Sequence, residues 1–593
     1  MTFAQIALIA VLAATLALFI WGRWRHDVVA ALALVATLLL GIVGPESAFA
    51  GFSDPAVITV ALVFILSAAI RSSGILQRLV RHMEPVLERP NLQVLVLVAI
   101  VIVLSAFMNN VGAIAILLPV AIYVAEKAGR SPATLLMPLS FGSLIGGLTT
   151  LIGTPPNLLI STVRRDVTGE PFSMFDFTPV GLGIAVVGLL YLTFAWRLLP
   201  ADRRGAPSPE KRFRIEDYVT EARIGAGSPL IDKSVRDLER MGDGEITVLS
   251  IIRENDRRLA PAGWTRLRED DVLILEADST VLKRVVDEAK LELVGKKELD
   301  PAHLRSEEVG IVEAVITPSS PLVGRSPASA RLRDYGVNLL ALSRQGRRAT
   351  TRLSRQRFGE GDVVVLQGDL EQMPVTLREL GALPLAERKV DLGRPAQVAL
   401  PVGVMADAVV LTATGVLPVT VAFLGAAVIL ALFRVMRLTD MYEAIDGSVI
   451  VLLAALIPVA GALQTTGLTE LLASSLATAG AALSPVAMLT LVLVATMLVT
   501  PVLNNAATVL LMGPLAAGFA QKVGLNVDPF LMAVAIGASC DFLTPFGHQS
   551  NTLVLGPGGY RFGDYARLGG PLSLIVIVVG VPLIMLVWPL VPK

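Results

Sequence analysis

The sequence predicts an all-α polytopic membrane protein. Two inverted repeats, each with a re-entrant hairpin and a broken helix, flank an inserted cytosolic α+β domain pair. Three observations predict it. The 593 residues are 54% hydrophobic and only 17% charged, with mean hydropathy +0.68. Several apolar runs exceed the roughly 18 residues that mark a membrane span. A short pattern also occurs twice: MNNVGAIAILLP (108–119) with GTPPNLLIS (153–161), then LNNAATVLLMGP (503–514) with GHQSNTLVL (547–555). Between the copies the composition turns charged, and short β-like runs alternate with turn residues. The boundaries are 1–200 and 395–593 for the membrane repeats, and 201–298 and 299–394 for the soluble domains.

Bulk composition removes several function classes. Lys+Arg and Asp+Glu balance at 50 each, so net charge implies no nucleic-acid partner. A single Cys540 excludes an intramolecular disulfide and any Cys-based zinc site, and four scattered histidines give no metal-ligand spacing. No nucleophile–base pair is visible, so neither an enzyme nor an organic cofactor is expected.

In chain order, the first apolar run is followed, not preceded, by Arg23 and Arg25. It therefore reads as a retained span with its N-terminus outside, not a signal peptide. Crossings are expected at 3–21, 27–44 and 55–71. Arg71, Arg78, Arg81 and Arg89 then cluster in one loop, which the positive-inside rule assigns to the cytoplasm. Residues 75–88 carry apolar positions at helical spacing and read as a membrane-surface helix or an ordinary loop helix. The apolar stretch 91–124 is too long for one crossing, so a hairpin around Asn109 and Asn110 is expected. Segment 133–163 is likewise too long, and Pro155 and Pro156 break it, because proline lacks an N–H and disfavours helix just before it. A crossing at 178–197 closes the first half.

The soluble insert has its own repeat. GSPLIDKSVRDL (227–238) echoes SSPLVGRSPASA (319–330), and REDDVLILEAD (268–278) echoes GEGDVVVLQGD (359–369). The apolar runs 272–275 and 363–366 after Gly/Asp turns read as buried strands. Two modules of about 85 residues follow, within the usual domain range. No G-x-G-x-x-G follows a strand, so a dinucleotide fold is not indicated.

Beyond Pro395, crossings are expected at 396–413, 417–435 and 447–463, a hairpin at 485–520, a broken span at 529–555 and a last crossing at 572–588. Other stretches match between halves: DPAVITVALVFIL from Asp54 resembles DGSVIVLLAALIP from Asp446, and Ser72-Ser73-Gly74 parallels Thr465-Thr466-Gly467. Similar halves with odd numbers of crossings, joined by a cytoplasmic segment, are inverted relative to each other.

Backbone cannot be left unpaired against lipid, so such interruptions survive only where they line a cavity or binding site. Matched interruptions in two halves point to a transporter's substrate site. Helices that restart there aim positive dipole ends at the gap, which favours an anion. The expected substrate contacts are Asn109, Asn110, Thr154, Pro155 and Asn157, with Asn504, Asn505, His548, Ser550 and Asn551 from the second half. Amide oxygens of Asn110 and Asn505 and unwound carbonyls at Gly153 and Gly547 suit Na⁺ as a coupling ion. The opposing explanation is that these Asn and Gly residues only mediate helix packing. Asp541 and His548 stand where the first half has Gly147 and Thr154. Ionisable residues inside a membrane are functional by default. Asp541 therefore reads as a Na⁺ or proton ligand, or as a partner of a hydroxyl. His548 reads as an anion donor or as a helix cap.

At these motifs the sequence resembles the divalent anion/Na⁺ symporters (solute carrier family thirteen) of the wider ion-transporter superfamily. That family carries Ser-Asn-Thr at each hairpin tip and a Thr-Pro-Pro-Asn-like turn in each broken helix. Here Thr154-Pro155-Pro156-Asn157 is intact, the second turn is His548-Gln549-Ser550-Asn551, and each tip keeps only the central Asn. The inserted pair resembles two TrkA-C (RCK-C) modules. The resemblance implies Na⁺-coupled, elevator-like symport of sulfate or a dicarboxylate across the inner (plasma) membrane. It also implies a homodimer and a small regulatory ligand on the modules, or a purely structural role for them. A cation/proton antiporter or metalloid-anion efflux permease of the same superfamily is the alternative. A potassium channel would need a filter such as T-V-G-Y-G, and none is present.

Overall fold

The computed structural model describes the chain apart from residues 22–23, 74–88, 201–218, 243–245, 254–255, 260, 262, 278, 294–308, 319, 345–346, 349–356, 370–371, 386–394, 481–482 and 592–593. The expected surface segment at 75–88, with Arg78 and Arg81, and the domain boundaries at 200/201, 298/299 and 394/395 therefore lie at or outside the limits of the described residues.

The first half runs α1 (Phe3–Trp21), α2 (His26–Leu39), α3 (Pro55–Ser72), α4 (Pro90–Phe107), α5 (Asn110–Lys127), α6 (Ala133–Gly147), α7 (Pro155–Thr168) and α8 (Thr178–Ala195). The insert contributes β1 (Val219–Ile224), α9 (Val235–Met241), β2 (Ile246–Arg253), β3 (Asp256–Leu259), β4 (Val272–Ala277), α10 (Ser279–Ala289) and β5 (Leu291–Leu293). It continues with β6 (Val309–Ile316), β7 (Val337–Arg344), β8 (Arg347–Arg348), β9 (Val363–Asp369), α11 (Met373–Glu379) and β10 (Ala382–Pro384). The second half runs α12 (Pro395–Ala413), α13 (Val419–Leu432), α14 (Leu438–Glu443), α15 (Gly447–Thr465) and α16 (Leu468–Gly480). It ends with α17 (Pro485–Leu503), α18 (Asn505–Lys522), α19 (Val527–Ser539), α20 (Gln549–Gly558) and α21 (Phe562–Val587). Seven of the described helices are long and apolar enough to cross a membrane. The molecule is a mostly helical, polytopic membrane protein.

Local chemistry explains the helix ends. Asp54 accepts the Ala56 N–H at the start of α3, and Asp446 accepts the Ser448 and Val449 N–H groups at the start of α15. These are N-caps, and they account for the shared Asp at the head of the two similar stretches. α2 stops at Leu39 instead of near 44, because Gly41 takes a left-handed φ of 68°. The last helix begins ten residues before the expected 572, at Phe562, where the Asp564 carboxylate accepts the Arg561 N–H at 2.8 Å. α16, for which the sequence pattern suggested no element, follows Thr465-Thr466-Gly467 as residues 75–88 follow Ser72-Ser73-Gly74.

Packing pairs the halves in the same way. α4 lies on α6 as α17 lies on α19. The half-helices cross over: α7 packs against α18 of the other half, and α20 packs against α5 and α6. Small residues permit the close approach. A Cβ on Gly146 would lie 2.5 Å from the Ile102 carbonyl. Arg164 on α7 forms a two-pronged ion pair with Asp528 on α19 at 2.8 and 3.0 Å, and its guanidinium lies 4.7 Å from the Phe172 ring. Tyr560 donates to the Ala133 carbonyl and accepts the Met137 N–H, which ties the end of α20 to the start of α6.

The insert forms two five-stranded antiparallel sheets in one shared order, β3-β2-β4-β1-β5 and, read the same way, β8-β7-β9-β6-β10. The expected strands at 272–275 and 363–366 are the central β4 and β9. Matching ion pairs brace each sheet: Arg253 reaches Asp271 at 2.7 and 2.6 Å, and Arg344 reaches Asp362 at 2.8 and 2.6 Å. The second sheet docks on the membrane helices. Val315, Val363 and Leu385 belong to the same apolar core as the helices, and Arg378 meets Asp440 of α14 at 3.4 Å. That pair is exposed and contributes little.

The docking itself depends on two glycines. Gly361 has φ 74°, and a Cβ there would sit 2.5 Å from the Thr552 carbonyl of α20. A Cβ on Gly556 would overlap the Gly361 carbonyl. Gly361→Val is expected to lower stability by about 1–3 kcal/mol through overpacking and backbone strain. Gly403→Ala, on an open face of α12, is expected to be neutral or slightly stabilising. Thermal unfolding of the two purified variants in detergent checks the contrast.

Candidate substrate and cation site

Each half contains a helix–tip–helix unit and a helix broken by an unwound turn. At the first tip, Asn109 Oδ1 accepts the Gly112 N–H at 2.8 Å; at the second, Asn504 Oδ1 accepts the Ala507 N–H at 3.0 Å. Both are N-caps, so their amide oxygens are committed to the restart of α5 and α18. Asn504 also has φ 65° and ψ 165°, a region that costs a non-glycine residue on the order of 1–3 kcal/mol and that clusters at ligand sites.

The neighbouring asparagines differ. Asn110 Oδ1 accepts the Ser105 hydroxyl at 2.7 Å. Asn505 Oδ1 is buried with no hydrogen-bond partner. Thr500, on α17 where α4 has Ser105, donates instead to the Thr496 carbonyl at 2.8 Å.

The broken spans are closed by a matched pair of side chains. Asn157 Nδ2 donates to the carbonyls of Gly147 (3.1 Å) and Thr150 (2.8 Å), and Asn551 Nδ2 donates to those of Asp541 (2.8 Å) and Thr544 (3.0 Å). In both halves the acceptors lie ten and seven residues before the asparagine. Carbonyls released by the unwinding are thereby paired inside the protein, as a lipid environment demands. Asn551 Oδ1 accepts the Ser140 hydroxyl at 2.7 Å and its carbonyl accepts the Tyr565 hydroxyl at 2.7 Å, whereas Asn157 Oδ1 has no partner.

The residues entering the two half-helices behave differently. His548 caps α20: its Nδ1 accepts the Ser550 N–H at 3.0 Å, which leaves the hydrogen on Nε2 of a neutral ring. Thr154 occupies the cap position of α7 without a cap bond, and its hydroxyl is buried and unpartnered. The Ser550 hydroxyl is buried and unpartnered too. The expectation that both half-helices present N–H groups at the gap needs correction. α7 opens with Pro155 and Pro156, which have none, and the Asn157 N–H bonds back to the Thr154 carbonyl. On α20 the Ser550 N–H is taken by His548. The hydroxyls of Thr154 and Ser550 are the stronger candidates for donation to an anion.

The glycines line up with the oxygens. A Cβ on Gly147 would lie 2.8 Å from Asn110 Oδ1, and one on Gly153 would lie 3.0 Å from the Ser105 carbonyl. In the second half a Cβ on Gly547 would overlap the Asp541 carboxylate. Asp541 is 1% exposed; the Thr544 hydroxyl is the polar group beside its carboxylate, and neither oxygen meets a donor in full hydrogen-bond geometry. No group of three or more His, Cys, Asp or Glu occurs among the described residues. The sequence pattern did not single out Ser105, Ser140, Tyr560 or Tyr565. Hydroxyls inside apolar runs were the available signal, but only the contacts across elements distinguish them from other buried hydroxyls.

The chain matches the family described as citrate transporter (CitMHS) over residues 16–537 and 492–593. It is 35% identical to an uncharacterized transporter of Synechocystis, over 98% of this chain and 97% of that protein. It is 32% identical to the uncharacterized transporter YfbS of Escherichia coli, over 98% of each. It is 24% identical to sodium/sulfate cotransporter 1 of Chlamydomonas reinhardtii, over 55% of this chain and 39% of that protein. The chain is a membrane transporter of the CitMHS family.

Proposed function

We propose that the protein is a secondary active transporter that couples Na⁺ to the movement of a small divalent oxyanion, such as sulfate or a dicarboxylate. In this reading the halves are inverted repeats whose hairpins and broken helices move as an elevator-like unit. One observation carries the proposal. The two matched breaks and the second hairpin tip hold buried hydroxyls and amide oxygens without protein partners, at Thr154, Asn157, Ser550 and Asn505, and no Lys or Arg lies in these motifs. Hydroxyls can donate to an anion, but an anion bound without fixed positive charge needs its charge offset by cations that travel with it. The orphan amide oxygens are acceptors only, and they suit a hard cation. The names of relatives support a small oxyanion: the family is named for citrate, a tricarboxylate, and the Chlamydomonas relative for sodium and sulfate.

Uptake of labelled sulfate, citrate and succinate into proteoliposomes, with and without an inward Na⁺ gradient, tests the reading. At least one of the three is expected to accumulate only with the gradient; accumulation indifferent to it would refute coupling. In the same assay Asn505→Ala is expected to raise the Na⁺ concentration for half-maximal uptake about tenfold, the equivalent of about 1.4 kcal/mol. Asn110→Ala is expected to act less strongly, since its oxygen already has Ser105 as a partner.

The anion contacts separate in the same way. Thr154→Val removes an unpartnered buried hydroxyl and is expected to raise KM for the anion about 10- to 100-fold, as for a hydrogen bond to a charged group. His548→Asn keeps a capping acceptor, and KM is expected to stay within about twofold. A large KM change in His548→Asn with none in Thr154→Val would reverse the two roles.

The soluble sheets, residues 201–394, are placed on the cytoplasmic side by this reading. Trp264 is 78% exposed, and the native cysteine, Cys540, is buried. A Trp264→Cys variant is expected to resist an impermeant thiol reagent in intact cells and to react after permeabilisation. Labelling in intact cells would overturn the topology.

A further inference from the structure

The two breaks are alike in backbone and unlike in charge. Where Asn157 donates to the Gly147 carbonyl, Asn551 donates to that of Asp541, so the second half carries a carboxylate at the register position of a glycine. We propose that the Asp541 carboxylate, together with the Asn505 amide oxygen, ligates a monovalent cation, which makes the second cation site anionic where the first is neutral. This rests on the reading of the protein as a cation-coupled carrier and goes beyond it by separating the two sites.

Four observations carry the inference. First, both Asp541 oxygens are buried with no N–H or hydroxyl in full hydrogen-bond geometry, the Thr544 hydroxyl being the polar group beside them, and no basic side chain pairs with the residue among the described residues. A buried carboxylate is paired, protonated or bound to a metal ion. Second, Asp541 follows closely on Ser539, the last residue of α19. Its charge therefore sits at the negative end of a helix dipole, where an anion is disfavoured and a cation favoured.

Third, the register supplies the partner. A Cβ at Gly147 would lie 2.8 Å from Asn110 Oδ1. In the second half the side chain is present at that position, and Asn505 stands in the place of Asn110. Asn110 Oδ1 is satisfied by Ser105, but Thr500 has turned away to Thr496, leaving Asn505 Oδ1 without a donor. The two Asp541 oxygens at the break and the Asn505 oxygen at the tip are all acceptors, which is the demand of a cation and not of an anion, while the unpartnered Ser550 hydroxyl remains as a donor. Fourth, glycine at 547 is what admits the carboxylate, because any Cβ there would overlap Asp541 Oδ2. One formal negative charge among otherwise neutral oxygens matches a singly charged hard cation. A divalent ion would ask for more carboxylates than the described residues offer.

The test uses the full-length protein in detergent, with thermal stability followed as NaCl replaces choline chloride at constant ionic strength and a parallel series in KCl. In wild type, Na⁺ is expected to raise the melting temperature saturably. Asp541→Asn is expected to move the midpoint of that titration at least tenfold higher, and Asp541→Gly, which restores the first-half residue, at least as far. Gly547→Ala provides an independent arm: it keeps every ligand but displaces the carboxylate, and the same shift is expected. A wild-type midpoint in Asp541→Asn or in Gly547→Ala would overturn the proposal, and a response to K⁺ equal to that for Na⁺ would overturn its assignment to the coupling ion. The two levels of inference fail separately. Wild-type uptake that ignores the Na⁺ gradient sinks the coupled-carrier reading, whereas Na⁺-driven uptake with an unmoved midpoint in Asp541→Asn sinks this one alone.

Discussion

Unwinding a helix inside a membrane frees carbonyl and amide groups that lipid cannot satisfy, and the rest of this structure is arranged around that constraint. Asn157 and Asn551 answer it in the same way, each reaching back across its turn to two released carbonyls. Asn109 and Asn504 do the equivalent at the tips by capping the helices that restart there. With these turns held by four asparagines, the side-chain oxygens of Thr154, Asn157, Asn505 and Ser550 are left without protein partners. Labour is divided by atom as well as by residue: the Asn157 amide nitrogen holds its turn while its oxygen stays open, and Asn504 caps its helix while the neighbouring Asn505 oxygen stays open.

The division is unequal between the halves, and the inequality follows from single residues. Ser105 satisfies Asn110, while Thr500 turns to its own helix and leaves Asn505 open. Thr154 keeps a free hydroxyl, while His548 spends its Nδ1 on a cap. Gly147 leaves a space that Asp541 fills. A repeated backbone with different side chains gives two breaks of related shape and different charge.

The second soluble sheet is not a remote appendage. The turn at Gly361 lies against the Thr552 and Gly556 backbone of α20, the half-helix that His548 caps and that carries Ser550 and Asn551. Tyr560 and Tyr565 tie the same region to α6 and to the Asn551 carbonyl. One short helix thus touches the soluble sheet, the other half of the membrane domain and the candidate site. Packed interiors transmit displacement because they have little free volume, so a shift of the sheet has a direct mechanical route to residues 548–551.

Much of this was legible in the sequence because bilayer thickness and backbone pairing act on local patterns. Apolar run length marked the spans, paired asparagines and prolines marked the breaks, and the echo of REDDVLILEAD in GEGDVVVLQGD marked duplicate strands. The same logic failed where a local pattern was ambiguous. The last crossing was expected from 572, yet α21 starts at Phe562, because Asp564 anchors its first turn and Gly569 packs on Phe542. The chemistry of the site was decided by tertiary contact alone. Asn109 and Asn110 are adjacent and chemically identical, but one caps a helix and the other meets Ser105. Whether an amide oxygen or a carboxylate is satisfied depends on which hydroxyls and N–H groups the fold brings within about 3 Å, and no spacing along the chain encodes that distance.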